Sequence, residues 1–170
     1  MKKNYLLNIL SEDRKGLLSI ITSMLNRKGI QIESISAAKT DIHTQVLINI
    51  EVFANSKEIN LMALKIKNIV EVYNTEVSLL NDALYQKIAL YILDSKGYNS
   101  NILRTIQKYG ATTICFDNGE IVVQKVGRDE DIQVLYNELE GIYLKGFSKS
   151  AAISLKTIQI DEEPVISMAA

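Results

Sequence analysis

The sequence predicts an α+β chain of two consecutive βαββαβ units, each an antiparallel sheet carrying both helices on one face. Three observations predict it. Apolar residues switch between a period of two and a period near 3.6 in that order along the chain. Gly16 and Gly29 stand thirteen apart, as do Gly97 and Gly110, so one offset of 81 lays one strand, loop, helix and glycine on another, with Leu7 on Ile88 and Ile9 on Leu90. Finally, Asp117-Asn118-Gly119 between two strand-like runs supplies the positive φ values of a tight hairpin turn.

Tyr5 to Leu10 reads as a short strand, and Leu17, Leu18, Ile20, Ile21, Met24 and Leu25 recur at helical spacing until Gly29. Ile30 to Ala38 is the next strand, and Val46, Ile48, Ile50 and Val52 alternate with their neighbours as a third. Asn55, with Glu58 three residues on, opens a helix whose buried stripe is Ile59, Met62, Ala63 and Ile66. Ile69 to Leu80 closes the first unit as a strand.

Tyr85 to Leu93 starts the second unit, followed by a loop containing Gly97, a helix carrying Ile102, Leu103 and Ile106, and a C-terminal cap at Gly110. The hairpin strands run over Ala111 to Phe116 and Glu120 to Val126; Asp129 caps a helix with Ile132, Leu135, Tyr136 and Leu139, ending at Gly141. A last strand is expected over Ile142 to Ile153. The order is ferredoxin-like, twice over. The break at Leu80-Asn81-Asp82 divides the chain into domains over 1–80 and 81–160, with an irregular tail over 161–170. The connection is too short for independent tumbling, so the units are expected to pack or hold a fixed angle. Sheet edges leave unpaired N–H and C=O rows that a second copy can cover, which predicts a homodimer.

Composition narrows function by exclusion. With 170 residues, 47% of them hydrophobic and 23% charged, the chain can bury a real core without disulfides or metal. Its net charge of -1 gives no excess of cations to draw it to nucleic acid or an anionic membrane. The strands also lack the paired aromatics and basic character of RNA-binding modules of this topology. No apolar run approaches the roughly 20 residues of a membrane span, and Met1-Lys2-Lys3-Asn4 leads into a run too short for a secretion signal, so a cytoplasmic location is expected.

Cys115, the sole cysteine, excludes an intrachain disulfide and a polythiolate metal site, and reads as a small strand hydrophobe. His43, the sole histidine, sits in the polar stretch Lys39 to Thr44, as an exposed turn residue does. Neither Gly-x-Gly-x-x-Gly nor Gly-x-x-x-x-Gly-Lys-Ser/Thr occurs. Glu33, Glu51, Glu71 and Glu76 fall on strand-like segments, where carboxylates mark the solvated face rather than a catalytic pair. The expectation is a protein without catalytic residues, cofactor or metal.

The informative stretch is Ser11-Glu12-Asp13-Arg14-Lys15-Gly16-Leu17-Leu18, a charged loop passing a strand to an apolar helix through a glycine. Glycine lets backbone approach a ligand, and the first N–H groups of the helix form a seat for a carboxylate. A zwitterionic amino acid also needs acceptors for its ammonium, for which Asp13 and Gln31 are the candidate side chains.

Asp13-Arg14-Lys15-Gly16-Leu17-Leu18 is similar to the Asn-x-x-Gly-x-Leu of ACT-domain proteins, and Arg27-Lys28-Gly29-Ile30-Gln31-Ile32-Glu33-Ser34-Ile35 to the Arg-Gly-x-Asn-Ile-Glu-Ser-Leu of the regulatory small subunits of acetolactate synthase. Leu93 to Tyr98 resembles that family's second-domain opening. Phe147 to Leu155 resembles its closing Ala-Arg-Ser-Gly-x-x-x-Leu, with Ala151 in place of the glycine. The resemblance spans nearly the whole chain. It implies tandem ACT and ACT-like domains, pairing of N-terminal domains between copies, valine or another branched-chain amino acid bound at that pairing, and activation and feedback inhibition of a separate thiamine-diphosphate catalytic subunit.

Carried over, Gly16 and Leu17 present N–H groups to the effector carboxylate, Leu18 forms the apolar wall, and Ile32 lies beside the other copy's loop. The family's two ligand-holding asparagines fall on Asp13 and Gln31. Aspartate accepts from an ammonium but cannot donate, while glutamine keeps the amide on a longer stem. One lost complementary bond costs about 1 to 3 kcal/mol, a ten- to hundredfold affinity change, which implies weakened or redirected valine sensitivity. The same departures leave open a free-standing amino-acid sensor with a different partner.

Overall fold

The structure is a computed structural model and describes residues 1–141 and 143–154. The first unit comprises β1 (Lys2–Glu12), α1 (Leu17–Arg27), β2 (Gln31–Lys39), β3 (Gln45–Asn55), α2 (Ser56–Lys67) and β4 (Val72–Leu79). The second comprises β5 (Tyr85–Asp94), α3 (Ser100–Lys108), β6 (Thr112–Asp117), β7 (Glu120–Gly127), α4 (Asp129–Leu139), β8 (Leu144–Lys149) and β9 (Ile153–Ser154). Strand order is β2-β3-β1-β4 in one sheet and β6-β7-β5-β8 in the other, all pairs antiparallel, with β9 added to β5. These are two tandem ferredoxin-like units, as the periods predict.

Alternation decides which face is dry. Tyr5, Leu7 and Ile9 of β1 join Ile48, Ile50 and Val52 of β3 beneath Leu17, Ile21 and Leu25 of α1 and Ile59, Met62 and Ile66 of α2. Ala89, Tyr91 and Leu93 play the same part under Ile106, Ile132 and Leu135. The Tyr91 hydroxyl donates to the Ile132 carbonyl at 2.7 Å, so this buried phenol is satisfied.

The helix starts follow local chemistry. Asn99 Oδ1 accepts from the N–H groups of Asn101 and Ile102 ahead of α3, after a single 3-10 turn at Ser95–Gly97. The Asn55 N–H donates to Glu58 at the start of α2, at a long 3.5 Å. At α4 the cap is Arg128 rather than Asp129: the Arg128 N–H donates to Asp131 Oδ2 at 3.1 Å, and Asp129 is free to turn toward β5.

Two strand expectations need correction. Ile69 lies in a turn, with Val72 N–H donating to its carbonyl at 3.0 Å, so β4 begins only at Val72. The strand expected to Ile153 breaks after Lys149. Ser150 is held to Ile88 by backbone and side chain, at 2.8 and 2.9 Å, and the chain then leaves β8 to bury Ala152, 1% exposed, against the first unit. Ile142, residues 155–160 of the expected second domain, and the expected tail 161–170 lie outside the described residues.

That excursion fastens the units together. Leu6, on the face of the first sheet away from its helices, packs with Leu80, Ala83, Tyr85 and Ala152. Ser36 Oγ donates to the Ala152 carbonyl at 2.8 Å, and Arg128 donates to the carbonyls of Leu80 and Asn81 at 3.2 and 2.7 Å.

Candidate functional site

Gly16 precedes α1 with φ 87°, in the left-handed region, and the helix opens without a side-chain cap. Open space surrounds a Cβ built there, so backbone conformation rather than crowding calls for glycine. Leu17, Leu18, Ala37, Val46 and Ile48 wall a recess of about 170 Å³, whose other side is the loop Ser11, Glu12, Asp13 and Arg14. The loop is braced: Asp13 N–H donates to Thr44 O and Glu12 N–H to Glu71 O, both at 2.8 Å, and Arg14 pairs with Glu71. The Leu17 N–H bends toward the Arg14 carbonyl at a long 3.3 Å.

Four of the six predicted site residues, Asp13, Gly16, Leu17 and Leu18, therefore lie together. Asp13 also meets Lys39 at 2.8 Å, which offsets the charge it presents to a nearby carboxylate. Gln31 and Ile32 stand apart. They pair with Phe53 and Val52 at the opening of β2, six residues and about 20 Å of strand before Ala37. Gln31 Nε2 donates to Glu33 at 2.6 Å. One copy of the chain does not join the two halves, but β2 is an edge strand, with no strand paired to its outer side among the described residues.

A second cavity, of about 500 Å³, opens where the units meet, among Glu33, Ser34, Glu51, Lys87, Asp129 and Lys149. Here the solvated-face expectation fails for Glu51, whose side chain is 7% exposed. Lys87, 4% exposed, donates to Glu51 Oε2 at 2.8 Å and to Asp129 Oδ2 at 2.7 Å. Glu51 Oε1 accepts from Ser34 Oγ at 2.5 Å and from Ala152 N–H at 3.1 Å. Asp129 accepts further from Lys149 and, at 3.2 Å, from Tyr85. Burial alone would push Asp129 up, yet hydrogen bonds from Lys149 and Lys87 outweigh it and hold the carboxyl below its ordinary value. Burial likewise pulls Lys87 down, and the two carboxylates more than reverse it, leaving the ammonium above its ordinary value.

Glu71 is also largely covered, lies in a turn rather than a strand, and pairs with Arg14. His43 is exposed in the turn between β2 and β3, and Cys115 is exposed on β6. Among the described residues no helix is long and apolar enough to cross a membrane.

No family model matches the chain. It is similar to the acetolactate synthase small subunit of Mycobacterium leprae, 22% identical over 150 residues that cover 88% of this chain and 89% of that protein. It is also similar to the acetolactate synthase small subunit of Mycobacterium bovis, 20% identical over 90% of this chain and 92% of that one. Among solved structures, the acetolactate synthase small subunit from Thermotoga maritima superposes with a TM-score of 0.79 at 15% identity, over 90% of this chain and 96% of that one. That likeness extends through both units of the fold.

Proposed function

We propose that this chain is the non-catalytic regulatory subunit of an acetolactate synthase, acting on a separate catalytic subunit in branched-chain amino acid biosynthesis. The observation that carries the reading is the whole-length likeness to proteins named small subunits, in sequence and in the order of both units. In this reading residues 1–80 form the effector-binding, dimer-forming domain and residues 81–160 the second, ACT-like domain.

The recess at Gly16 supports an effector of amino-acid class, valine or a relative. A carboxylate at the uncapped start of α1 meets N–H groups and the positive end of the helix dipole. An ammonium finds Asp13, and a short side chain finds Leu17, Leu18, Ala37 and Val46. Homodimerisation through β2 completes the site. An antiparallel pairing of two β2 edges centred on Ile35 sets Gln31 of one copy opposite Lys39 of the other, and Lys39 is the residue that grips Asp13. Gln31 and Ile32 of a second copy then face the loop they cannot reach in their own chain.

β2 also links this site to the junction. Ala37 lines the recess, while Ser34 and Ser36, on the opposite face, hold Glu51 and Ala152. An effector that shifts β2 thus acts on the seat of the second unit.

The test is to mix the chain with the catalytic subunit of the same source. A rise in acetolactate formation, lowered again by a branched-chain amino acid, supports the proposal; no association and no change in rate overturns it. A free-standing sensor is the second reading, favoured by Asp13 and Gln31 where the resembled family has asparagines. Calorimetry that finds a ligand other than valine, leucine or isoleucine, in a chain that ignores the synthase, decides for the sensor.

A further inference from the structure

Ser11 ends the helix-facing stripe of β1 that begins with Tyr5, Leu7 and Ile9, and it forms part of the wall of the recess at Gly16. It is fully buried, and its hydroxyl has no hydrogen-bond partner among the described residues. Buried side-chain hydroxyls are nearly always paired, so an orphan calls for a reason. The alternation of β1 gives none: an apolar side chain here would extend the stripe and bury more hydrocarbon without stranding a polar atom. Its neighbours across the recess, Leu17, Ala37, Val46 and Ile48, offer only hydrocarbon side chains. The charged loop residues Glu12, Asp13 and Arg14 line the other part of the recess, so the unpaired hydroxyl set among Leu17, Ala37, Val46 and Ile48 matches a ligand whose small side chain is mostly hydrocarbon with one hydroxyl.

We propose that Ser11 makes the Gly16 recess selective for a small amino acid bearing a hydroxyl on its β-carbon, threonine in class, over the apolar isostere valine. The inference rests on the recess being an amino-acid site and names which amino acid that site prefers. Because Ser11 is fully buried, a ligand reaches it only by parting the side chains that line the recess, and its hydroxyl then supplies the partner Ser11 lacks. A purely apolar pocket rejects an added hydroxyl only weakly. A pocket with a hydroxyl waiting for a bond penalises the analogue that cannot form it.

Calorimetry on the full chain with threonine and with valine tests this, alongside Ser11→Ala and Ser11→Val. The wild-type chain is expected to bind threonine at least tenfold tighter than valine, and both variants to lose that preference, with Ser11→Val turning it toward valine. Valine bound as tightly as threonine by the wild type overturns the role of Ser11 and leaves the amino-acid site standing. Failure of the wild type to bind either amino acid overturns both. A readout independent of ligand is the melting temperature of the free chain. Ser11→Ala is expected to raise it, because an unpaired buried hydroxyl is removed, and a fall would show that the hydroxyl is bonded after all.

Discussion

Lys87→Ala is the sharpest test of what joins the two units. The ammonium lies 2.8 Å from Glu51 and 2.7 Å from Asp129, and Glu51 belongs to the first unit whereas Lys87 and Asp129 belong to the second. Without it, Glu51 keeps Ser34 Oγ and Ala152 N–H as donors but loses its only cation among the described residues, and Asp129 keeps Lys149 and Tyr85. Stranding a buried charge in this way costs about 3 to 5 kcal/mol, and the two surviving donors place Glu51 at the lower end, about 3 kcal/mol. In urea unfolding of the full chain, with an m-value of about 2 kcal/mol per molar, the midpoint falls by about 1.5 M. Lys87→Met retains most of the volume and isolates the charge, so it loses nearly as much. Lys87→Met combined with Glu51→Gln recovers most of the loss, because the amide carries no stranded charge and its oxygen still accepts from Ser34 Oγ and Ala152 N–H. Single variants within about 0.5 kcal/mol of wild type, the usual range for an exposed surface site, would refute the buried-pair argument.

Other consequences follow from single residues. Gly16→Ala meets no atom within 4 Å but must hold φ 87°, so it costs about 1 to 2 kcal/mol in thermal unfolding, with loss of effector response. Gly97→Ala differs in cause: its new Cβ would come 2.2 Å from Tyr143 Cγ and displace that side chain, costing about 1 to 3 kcal/mol by the same measurement. Asp129 is held below the ordinary carboxylate value, so its stabilisation is complete above about pH 4 and fades as pH falls through the folded value; Asp129→Asn should flatten that limb of the pH–stability curve. On the alkaline side, burial pushes Tyr91 up to about 12, and Lys87 is raised. Stability should fall above about pH 10, as the unfolded chain releases protons that the folded chain retains, and Tyr91→Phe should lessen the fall.

The elements were legible where period and punctuation agree. The period of two in β3, the Gly16 to Gly29 and Gly97 to Gly110 spacing, and the Asn118-Gly119 turn each mark local geometry, and local geometry is what a single sequence carries. What escaped was set by distant residues. Glu51 looks like a solvated strand carboxylate because the lysine that buries it lies 36 residues on, in the other unit. The break after Lys149 was invisible because Ala152 leaves its strand for partners, Ser36 and Glu51, more than a hundred residues away. In the site, Asp13 to Leu18 are contiguous and so were found together, whereas Gln31 and Ile32 open a strand whose register only the sheet fixes. Ser11 did leave a signal: a lone hydroxyl where the alternation of β1 calls for hydrocarbon.

The most direct test of the account is acetolactate formation by the catalytic subunit, titrated with amino-acid effectors in the presence of the wild-type chain or of Gly16→Val. Both forms should raise the basal rate, and only the wild type should let an effector lower it. An effector response of equal size and midpoint with Gly16→Val would contradict the account, since a side chain forced into that left-handed turn must disturb any ligand held by the start of α1.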